Sequence, residues 1–334
     1  MKSAGLLDLI ADAASRERVL TGTGPLDDAC RGGIPLGSRV VIGGAPGAGK
    51  TTLATQWALQ LARQGTHVRI LATDEGAAAI AIRLGQQGPG LPRELLERGD
   101  VATMRALAEY LGALPGSVDV LADQSIERAA STLPSDGARA LIVDSLQTAR
   151  SDRRTGNGKK ALVESSVAAI KRVAASGVLT ISTSELARDA YKAGKNSKSA
   201  LGSFKGSGDV EYDIDLGLAL VCDTEGKDIT CRVEKSRIGE RPTFPLYRDA
   251  ARALLLTEPP TMAPKVRPWL TPTNKGIERA TREQRDLTIA VLGISFACWL
   301  SLVASAIYHR YPAKGIRYSN ACAWFAAYSV QCPK

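Results

Sequence analysis

The feature that most constrains this chain is a glycine-rich loop between a predicted buried strand and a predicted helix. Residues Gly44–Thr51 read GAPGAGKT, which fits the pattern G-x-x-x-x-G-K-[ST]. The strand Arg39–Gly43 precedes the loop, and a helix over Thr51–Arg63 follows it. Glycines let backbone N–H groups turn towards phosphate oxygens, and the helix N-terminus adds partial positive charge. The sequence therefore predicts a nucleotide phosphate site here.

The side chains of this loop and of one later strand carry the predicted ATP and Mg²⁺ chemistry. Lys50 is expected to reach the β- and γ-phosphates, and the Thr51 hydroxyl to ligate Mg²⁺. The apolar strand Leu141–Val143 leads into Asp144, which is expected to hold the same ion, although alone it would pass for an ordinary strand-terminal aspartate. The predicted ATP contacts are Gly44, Ala45, Pro46, Gly47, Ala48, Gly49, Lys50, Thr51 and Thr52.

A pair of adjacent acids follows another predicted strand. Asp74 and Glu75 come shortly after Val68–Ala72. A carboxylate at this end of a strand, near the γ-phosphate, can orient and activate the attacking water. The same pair could instead cap a helix predicted over residues 76–85. The sequence therefore offers Asp74 and Glu75 as catalytic candidates beside Lys50 and leaves the choice between them open.

Strands alternate with helices over most of the chain. This alternation predicts an α/β fold with a mostly parallel twisted sheet flanked by helices. After Asp215 the strands Leu216–Cys222 and Ile229–Glu234 form a predicted antiparallel hairpin. A last strand over residues 241–249 contains two prolines, which predicts a sheet edge. The other predicted strands are Val118–Leu121, Ala138–Asp144 and Gly177–Thr183; the other predicted helices cover 4–15, 92–98, 102–113, 125–133 and 161–175.

The C-terminal part of the chain has a different composition. Residues 257–286 are rich in proline, threonine and charge, and are predicted to be a linker. The segment 287–308 contains no charged residue over 22 positions, close to the roughly 20 needed to span a bilayer. A spanning helix and a buried or oligomerising helix both fit this pattern. We therefore divide the chain into an N-terminal helix (1–17), a nucleotide-binding domain (18–256), a linker (257–286) and a hydrophobic tail (287–334).

Charge and cysteine usage set the expected surroundings. The formal net charge is +9, but residues 257–334 contribute +6 of it, so local clusters must carry any argument for an acidic partner. The six cysteines form no C-x-x-C pair, which argues against a structural zinc site and favours a reducing, cytoplasmic compartment. Membrane association through residues 287–308 is the alternative location.

An ordered series of motifs resembles one group of ATPases. The phosphate loop and its surroundings are similar to the RecA-like core of the DnaB/RadA/KaiC group, and the match runs over about residues 18–250. The acid-strand motif and a K-x-R-x-G hairpin resemble DnaB and RadA, and one segment resembles DnaB-type replicative helicases. The matching runs are Thr21–Asp27 (TGTGPLD), Gly32–Gly37 (GGIPLG), Asp144–Thr148 (DSLQT), Ser207–Asp215 (SGDVEYDID) and Lys235–Gly239 (KSRIG).

The resemblance, closest to the C-terminal ATPase domain of DnaB-type helicases, implies a homo-oligomeric, usually hexameric ring with ATP between subunits. Lys235 and Arg237 would then reach the γ-phosphate held by a neighbouring subunit and stabilise its developing charge. One departure concerns Glu185, which stands where DnaB-type enzymes carry glutamine. A glutamine amide can donate a hydrogen bond to phosphate, whereas an ionised carboxylate cannot.

Two basic segments follow predicted strands and are candidate contacts for single-stranded DNA. They combine cations with Gly, Ser and Asn, and apart from Tyr191 and Phe204 they lack aromatics for base stacking. This composition predicts salt-dependent contacts to the DNA backbone, with simple solvated loops as the alternative. The predicted contacts are Arg150, Arg153, Arg154, Lys159 and Lys160 in the first segment, and Arg188, Lys192, Lys195, Lys198 and Lys205 in the second.

The sequence thus favours an ATP-hydrolysing translocase or helicase of the DnaB type that acts on single-stranded DNA in replication or repair. A RadA-like recombination or repair ATPase and a KaiC-like regulatory ATPase that acts on proteins are the alternatives. The response of hydrolysis to single-stranded DNA distinguishes the first two from the third.

Overall fold

The computed structural model describes residues 5–153, 156, 158–186, 213–222 and 229–260, which lie within one compact unit, residues 1–261. The predicted tail (287–334), almost all of the predicted linker and the second basic segment lie outside the described residues. No helix among the described residues is long and apolar enough to cross a membrane. The domain boundaries stay predictions.

Eleven strands and eight helices make up the described residues. The helices are α1 (Leu6–Ser15), α2 (Gly24–Ala29), α3 (Lys50–Arg63), α4 (Ala77–Gln87), α5 (Arg93–Glu97), α6 (Val101–Gly112), α7 (Ile126–Ser131) and α8 (Lys159–Ala175). The strands are β1 (Arg18–Val19), β2 (Ile34–Pro35), β3 (Arg39–Gly44), β4 (His67–Ala72), β5 (Ser117–Leu121), β6 (Arg139–Asp144), β7 (Leu179–Glu185), β8 (Leu216–Cys222), β9 (Ile229–Ser236), β10 (Thr243–Asp249) and β11 (Leu254–Leu256).

Nine of the described strands form one mixed sheet in the order β11-β10-β9-β8-β3-β7-β6-β4-β5. The six strands from β8 to β5 are parallel, and β9, β10 and β11 continue the sheet in antiparallel pairs. The predicted fold class, a mostly parallel sheet with antiparallel strands at its C-terminal side, is therefore confirmed. Strands β1 and β2 form a separate two-stranded sheet.

Alternating apolar side chains bury both faces of the sheet, because successive residues of a strand point to opposite sides. In β3, Val40 and Ile42 join the core beneath α3 and α4, which includes the fully buried Trp57. Val41 joins the second core, which contains Ile170 of α8. Helices therefore cover both sides, as expected for parallel strands that are apolar along nearly their whole length.

The entry segment before β3 is fixed by one buried carboxylate. Asp27 accepts hydrogen bonds from the backbone N–H groups of Thr21 (2.8 Å) and Gly22 (2.9 Å). The Thr23 hydroxyl accepts the indole N–H of Trp57 at 2.9 Å. The TGTGPLD motif therefore anchors the start of the domain to the helix that follows the phosphate loop.

One prediction about the sheet was wrong. Strand β10 does not form the edge, because β11 pairs with it outside β9. The prolines are tolerated because β11 pairs only with Tyr247–Asp249, beyond both Pro242 and Pro245. The two prolines, which lack a backbone N–H, therefore lie where no strand pairs with β10 on the side that faces β11.

Candidate functional site

The carboxyl ends of neighbouring parallel strands converge on a cavity of about 270 Å³. This is the edge at which open α/β sheets bind ligands. The phosphate loop after β3, the acids after β4, and the ends of β6 and β7 all contribute. The lining residues are Pro46, Gly47, Gly49, Lys50, Thr51, Thr52, Asp74, Glu75, Arg83, Asp144, Ser145, Thr183, Glu185 and Arg248.

The phosphate loop adopts a shape that depends on glycine. Gly47 and Gly49 have φ values of +75° and +94°, which L-residues with a Cβ rarely adopt, and a Cβ at Gly47 would meet no atom within 4 Å. Gly49 precedes α3, so the N-terminus of that helix faces the cavity. The loop therefore leaves room for an anion at a helix N-terminus.

Lys50 lies folded against the loop that leads to it. Its Nζ donates to the carbonyl oxygens of Gly44 (3.2 Å) and Ala45 (3.0 Å). Burial lowers the pKa of this amine, while the charges of Glu185, Asp144 and Asp74 act in the opposite direction, Glu185 most strongly. A triphosphate would give the ammonium group an anionic partner in place of neutral carbonyls.

The side chains of Asp144 and Thr51, the two predicted metal ligands, are in contact. Asp144 Oδ1 accepts a hydrogen bond from the Thr51 hydroxyl at 3.2 Å and a second from the Thr183 hydroxyl. Asp144 Oδ2 is buried with no hydrogen-bond partner among the described residues. Burial raises the pKa of this carboxyl, since its charge lacks solvent. A buried carboxylate beside a hydroxyl is a set of hard oxygen donors, which fits Mg²⁺.

The two catalytic candidates after β4 differ in how they are held. The backbone N–H groups of Thr73 (2.7 Å) and Asp74 (3.1 Å) donate to the backbone carbonyl of Asp144, which ties this turn to β6. The Glu75 carboxylate forms an ion pair with Arg83 at 2.8 Å. Asp74 is exposed, whereas Glu75 is half-buried.

Glu185 lies beside the phosphate loop at the end of β7. Its backbone is in register with Gly44 of β3. Its N–H donates to the side-chain oxygen of Gln147 at 3.4 Å, and the Gln147 amide donates to the Ser184 hydroxyl at 2.9 Å. Residues of the DSLQT motif therefore contact the strand end that carries Glu185.

Lys235 and Arg237 lie near the amino ends of the parallel strands, whereas the phosphate loop of the same chain lies at their carboxyl ends. Gly217, near the start of β8, is in register with Lys235. Arg237 pairs with Asp215 at 3.5 Å and is half-exposed. Neither residue lines the cavity. Within one chain, therefore, the structure does not bring these two cations to the predicted nucleotide.

Part of the first predicted DNA-binding segment is described. Arg150 and Arg153 are exposed after β6, and Lys160, 76% exposed at its side chain, pairs with Glu164 at 3.6 Å on α8. Lys159 begins α8. The remaining predicted contacts lie outside the described residues: Arg154, Arg188, Lys192, Lys195, Lys198 and Lys205.

The cavity residues that sequence reasoning missed include Arg83, Thr183 and Arg248. Arg248 of β10 donates to the Gly47 carbonyl at 2.7 Å, Arg83 pairs with Glu75, and Thr183 binds Asp144. No local pattern marks them, since each reaches the site through the sheet or a helix rather than through a motif. Thr183, two residues before Glu185 on a predicted strand, offered the strongest signal.

The fold and this site together define a RecA-like P-loop ATPase. The profile of the KaiC ATPase family matches residues 19–215, more than half of the sequence. The chain therefore belongs to the KaiC ATPase family.

Known proteins with similar sequences are RadA DNA repair proteins. The chain is 27% identical over 200 residues to DNA repair protein RadA of Brucella abortus, which covers 58% of this chain and 38% of that protein. It is 26% identical over 224 residues to RadA of Escherichia coli, which covers 66% of this chain and 41% of that protein. The chain thus spans about two fifths of the length of these relatives.

A solved structure of a DnaB-like replicative helicase, determined with its interactions with primase, shares the fold. The TM-score is 0.63 at 17% sequence identity, over 77% of this chain and 68% of that chain. The predicted relationship to the DnaB/RadA/KaiC group is therefore confirmed.

Proposed function

We propose that this protein is an ATP-hydrolysing translocase or helicase of the DnaB type that acts on single-stranded DNA as a hexameric ring. The observation that carries the proposal is the meeting of Lys50, Thr51 and Asp144 in one cavity at the carboxyl edge of the sheet. The exposed cations Arg150 and Arg153 extend the proposal to DNA, because they follow Asp144, the last residue of β6, within ten positions.

The phosphate loop and its neighbours would bind Mg²⁺-ATP. Backbone N–H groups over residues 44–52 cradle the phosphates, and Lys50 leaves the loop carbonyls to contact the β- and γ-phosphates. Thr51 and Asp144 hold the Mg²⁺ ion, which neutralises charge on the phosphates when bound. Thr183 keeps the Asp144 carboxylate oriented through its hydroxyl.

Glu75 is the better candidate for the group that accepts a proton from the attacking water. A general base acts efficiently when a third group fixes its position. Arg83 fixes Glu75 through the 2.8 Å ion pair, while Asp74 is exposed. We therefore assign Glu75 as the general base, whereas Asp74 contributes negative charge around the site.

Lys235 and Arg237 would complete the site of a neighbouring subunit. Their place near the amino ends of the parallel strands, opposite the phosphate loop, fits a head-to-tail arrangement, in which two different surfaces meet. A guanidinium that arrives from the next subunit spreads positive charge over the phosphoryl group in its transition state. Hydrolysis would then depend on assembly.

The experiment that tests this function compares ATP hydrolysis with and without single-stranded DNA. Lys50→Ala is expected to abolish nucleotide binding and turnover. The double variant Arg153→Gln, Lys160→Gln is expected to weaken DNA affinity and to reduce the slope of log affinity against log salt by roughly 0.7 for each lost phosphate contact. Arg105→Gln, an exposed arginine on α6, is the matched control and should leave both unchanged.

A RadA-like repair ATPase is the second candidate, favoured by the RadA relatives. Displacement of a strand from a forked duplex supports the helicase, whereas remodelling of branched DNA without displacement supports the RadA-like activity. Absence of any stimulation by DNA at low salt would contradict both and point to a KaiC-like ATPase that acts on proteins.

A further inference from the structure

The described lining of the nucleotide cavity carries more negative than positive charge. Its cationic side chains are Lys50, Arg83 and Arg248, and its carboxylates are Asp74, Glu75, Asp144 and Glu185. Arg83 is already paired with Glu75. Asp144 has a proposed metal to neutralise it, and Asp74 is exposed to solvent, so Glu185 is the partly buried carboxylate to which the proposed chemistry gives no role.

Glu185 lies close to the amine that would hold the terminal phosphate. It is in register with Gly44, whose carbonyl accepts a hydrogen bond from Lys50 Nζ. Among the acids that favour the charged form of Lys50, Glu185 acts more strongly than Asp144 or Asp74. Because Lys50 and Glu185 line the same cavity, the Glu185 carboxylate lies in the neighbourhood into which a γ-phosphate on Lys50 would extend.

ATP and ADP would therefore interact differently with Glu185. A γ-phosphate must share Lys50 with the Glu185 carboxylate, and like charges at close range repel in a partly desolvated site. A carboxylate cannot offset this repulsion by donating a hydrogen bond. ADP lacks the third phosphate and leaves the attraction between Glu185 and Lys50 in place.

We propose that Glu185 sets the preference between nucleotides by selectively weakening the binding of ATP relative to that of ADP. The inference rests on the proposed ATP site. It makes Glu185 a specificity-determining residue: the carboxylate opposes the terminal phosphate, and the site gains its full affinity for ATP only when further positive charge arrives.

The test measures nucleotide binding by calorimetry at fixed Mg²⁺, with ADP and with a non-hydrolysable β,γ-imido ATP analogue. In Glu185→Gln, the ratio of analogue affinity to ADP affinity is expected to rise by at least about tenfold, while ADP affinity stays within about twofold. Glu185→Ala, which removes the charge without adding a donor, should raise the ratio in the same direction. Retained ADP binding shows that each variant is folded.

Glu109→Gln is the matched control, since it removes an exposed carboxylate on α6, outside the cavity. An unchanged ratio in Glu185→Ala would overturn the inference, even if Glu185→Gln gained affinity through its amide. Added salt should shrink the difference between the wild type and Glu185→Ala, because it screens repulsion. Failure of the wild type to bind either nucleotide would instead refute the proposed function itself.

Discussion

Replacement of Asp144 by asparagine is expected to separate the stability of the domain from its function. The Asp144 side chain is buried, and the hydrogen bonds to it come from two hydroxyls, of Thr51 and Thr183. A buried carboxylate that receives only neutral donors costs folding free energy, which the raised pKa of this carboxyl reflects. The proposed Mg²⁺ site accounts for a carboxylate at this costly position.

The magnitude follows from the size and chemistry of the substitution. Asparagine fills the same volume, and its amide can donate to the two hydroxyl oxygens, since hydroxyls accept as well as donate. We expect the free energy of unfolding without nucleotide to rise by about 1 kcal/mol. For a domain of this size that corresponds to an increase in Tm of roughly 2–4 °C. Mg²⁺-dependent turnover should fall at least about 100-fold.

Thermal unfolding with and without Mg²⁺-ATP measures both effects. The wild type should gain Tm on addition of Mg²⁺-ATP by mass action, whereas Asp144→Asn should start higher and gain little. Asp136→Asn, an exposed aspartate, is the matched control and should behave as the wild type. A lower Tm without nucleotide, or a full Mg²⁺-ATP shift in Asp144→Asn, would refute this reasoning.

Three further substitutions test the Asp215 ion pair and the assignment of the general base. Asp215→Asn should lower the free energy of unfolding by about 3 kcal/mol, since Asp215 accepts hydrogen bonds from Arg39 N, Nε and Nη2 at 3.0–3.1 Å. Burial alone would raise the pKa of Asp215, but the Arg39 hydrogen bonds outweigh it and lower that pKa below its ordinary range. The difference from the wild type should therefore persist at neutral pH and vanish as the pH falls through the lowered pKa. Glu75→Gln should reduce kcat by roughly 10²–10⁴ while ATP still binds, and Asp74→Asn should retain most activity in the same steady-state assay.

Matched variants keep these outcomes interpretable. Asp213→Asn removes a more exposed carboxylate, which pairs with Lys171 at 2.8 Å and more distantly, at 3.5 Å, with Arg39, and should cost no more than about 1 kcal/mol. An equal loss in Asp213→Asn would contradict the special role of Asp215. A greater loss of kcat in Asp74→Asn than in Glu75→Gln would reverse the assignment of the base.

Local pattern was sufficient for the parallel core. The phosphate loop, the apolar strands and the acids that follow them are contiguous in sequence, so their order predicts both the fold class and the gathering of Lys50, Thr51 and Asp144. Near-continuous apolar runs also explain why the strand bounds came close: β6 was predicted over Ala138–Asp144 and is found over Arg139–Asp144, buried at every position after the first.

Elements that are fixed by tertiary contacts could not be predicted from local sequence. The helix α2 was not predicted within its Gly/Pro-rich segment, because its stability comes from the hydrogen bonds around Asp27. Strand β11 has three residues, too few for a periodic pattern. Arg248 reaches the phosphate loop only because β10 returns across the sheet, a contact between positions 201 residues apart.

Because Lys235 lies far from the phosphate loop of its own chain, the number of complete nucleotide pockets depends on how the subunits assemble. In the proposed head-to-tail assembly, each subunit provides one nucleotide pocket and, at the other end of its strands, one pair of cations, so a terminal subunit always has one of the two without a partner. An open row has one complete pocket fewer than it has members, whereas a closed circle has as many pockets as members. The turnover per subunit should therefore increase with row length and reach its ceiling on closure.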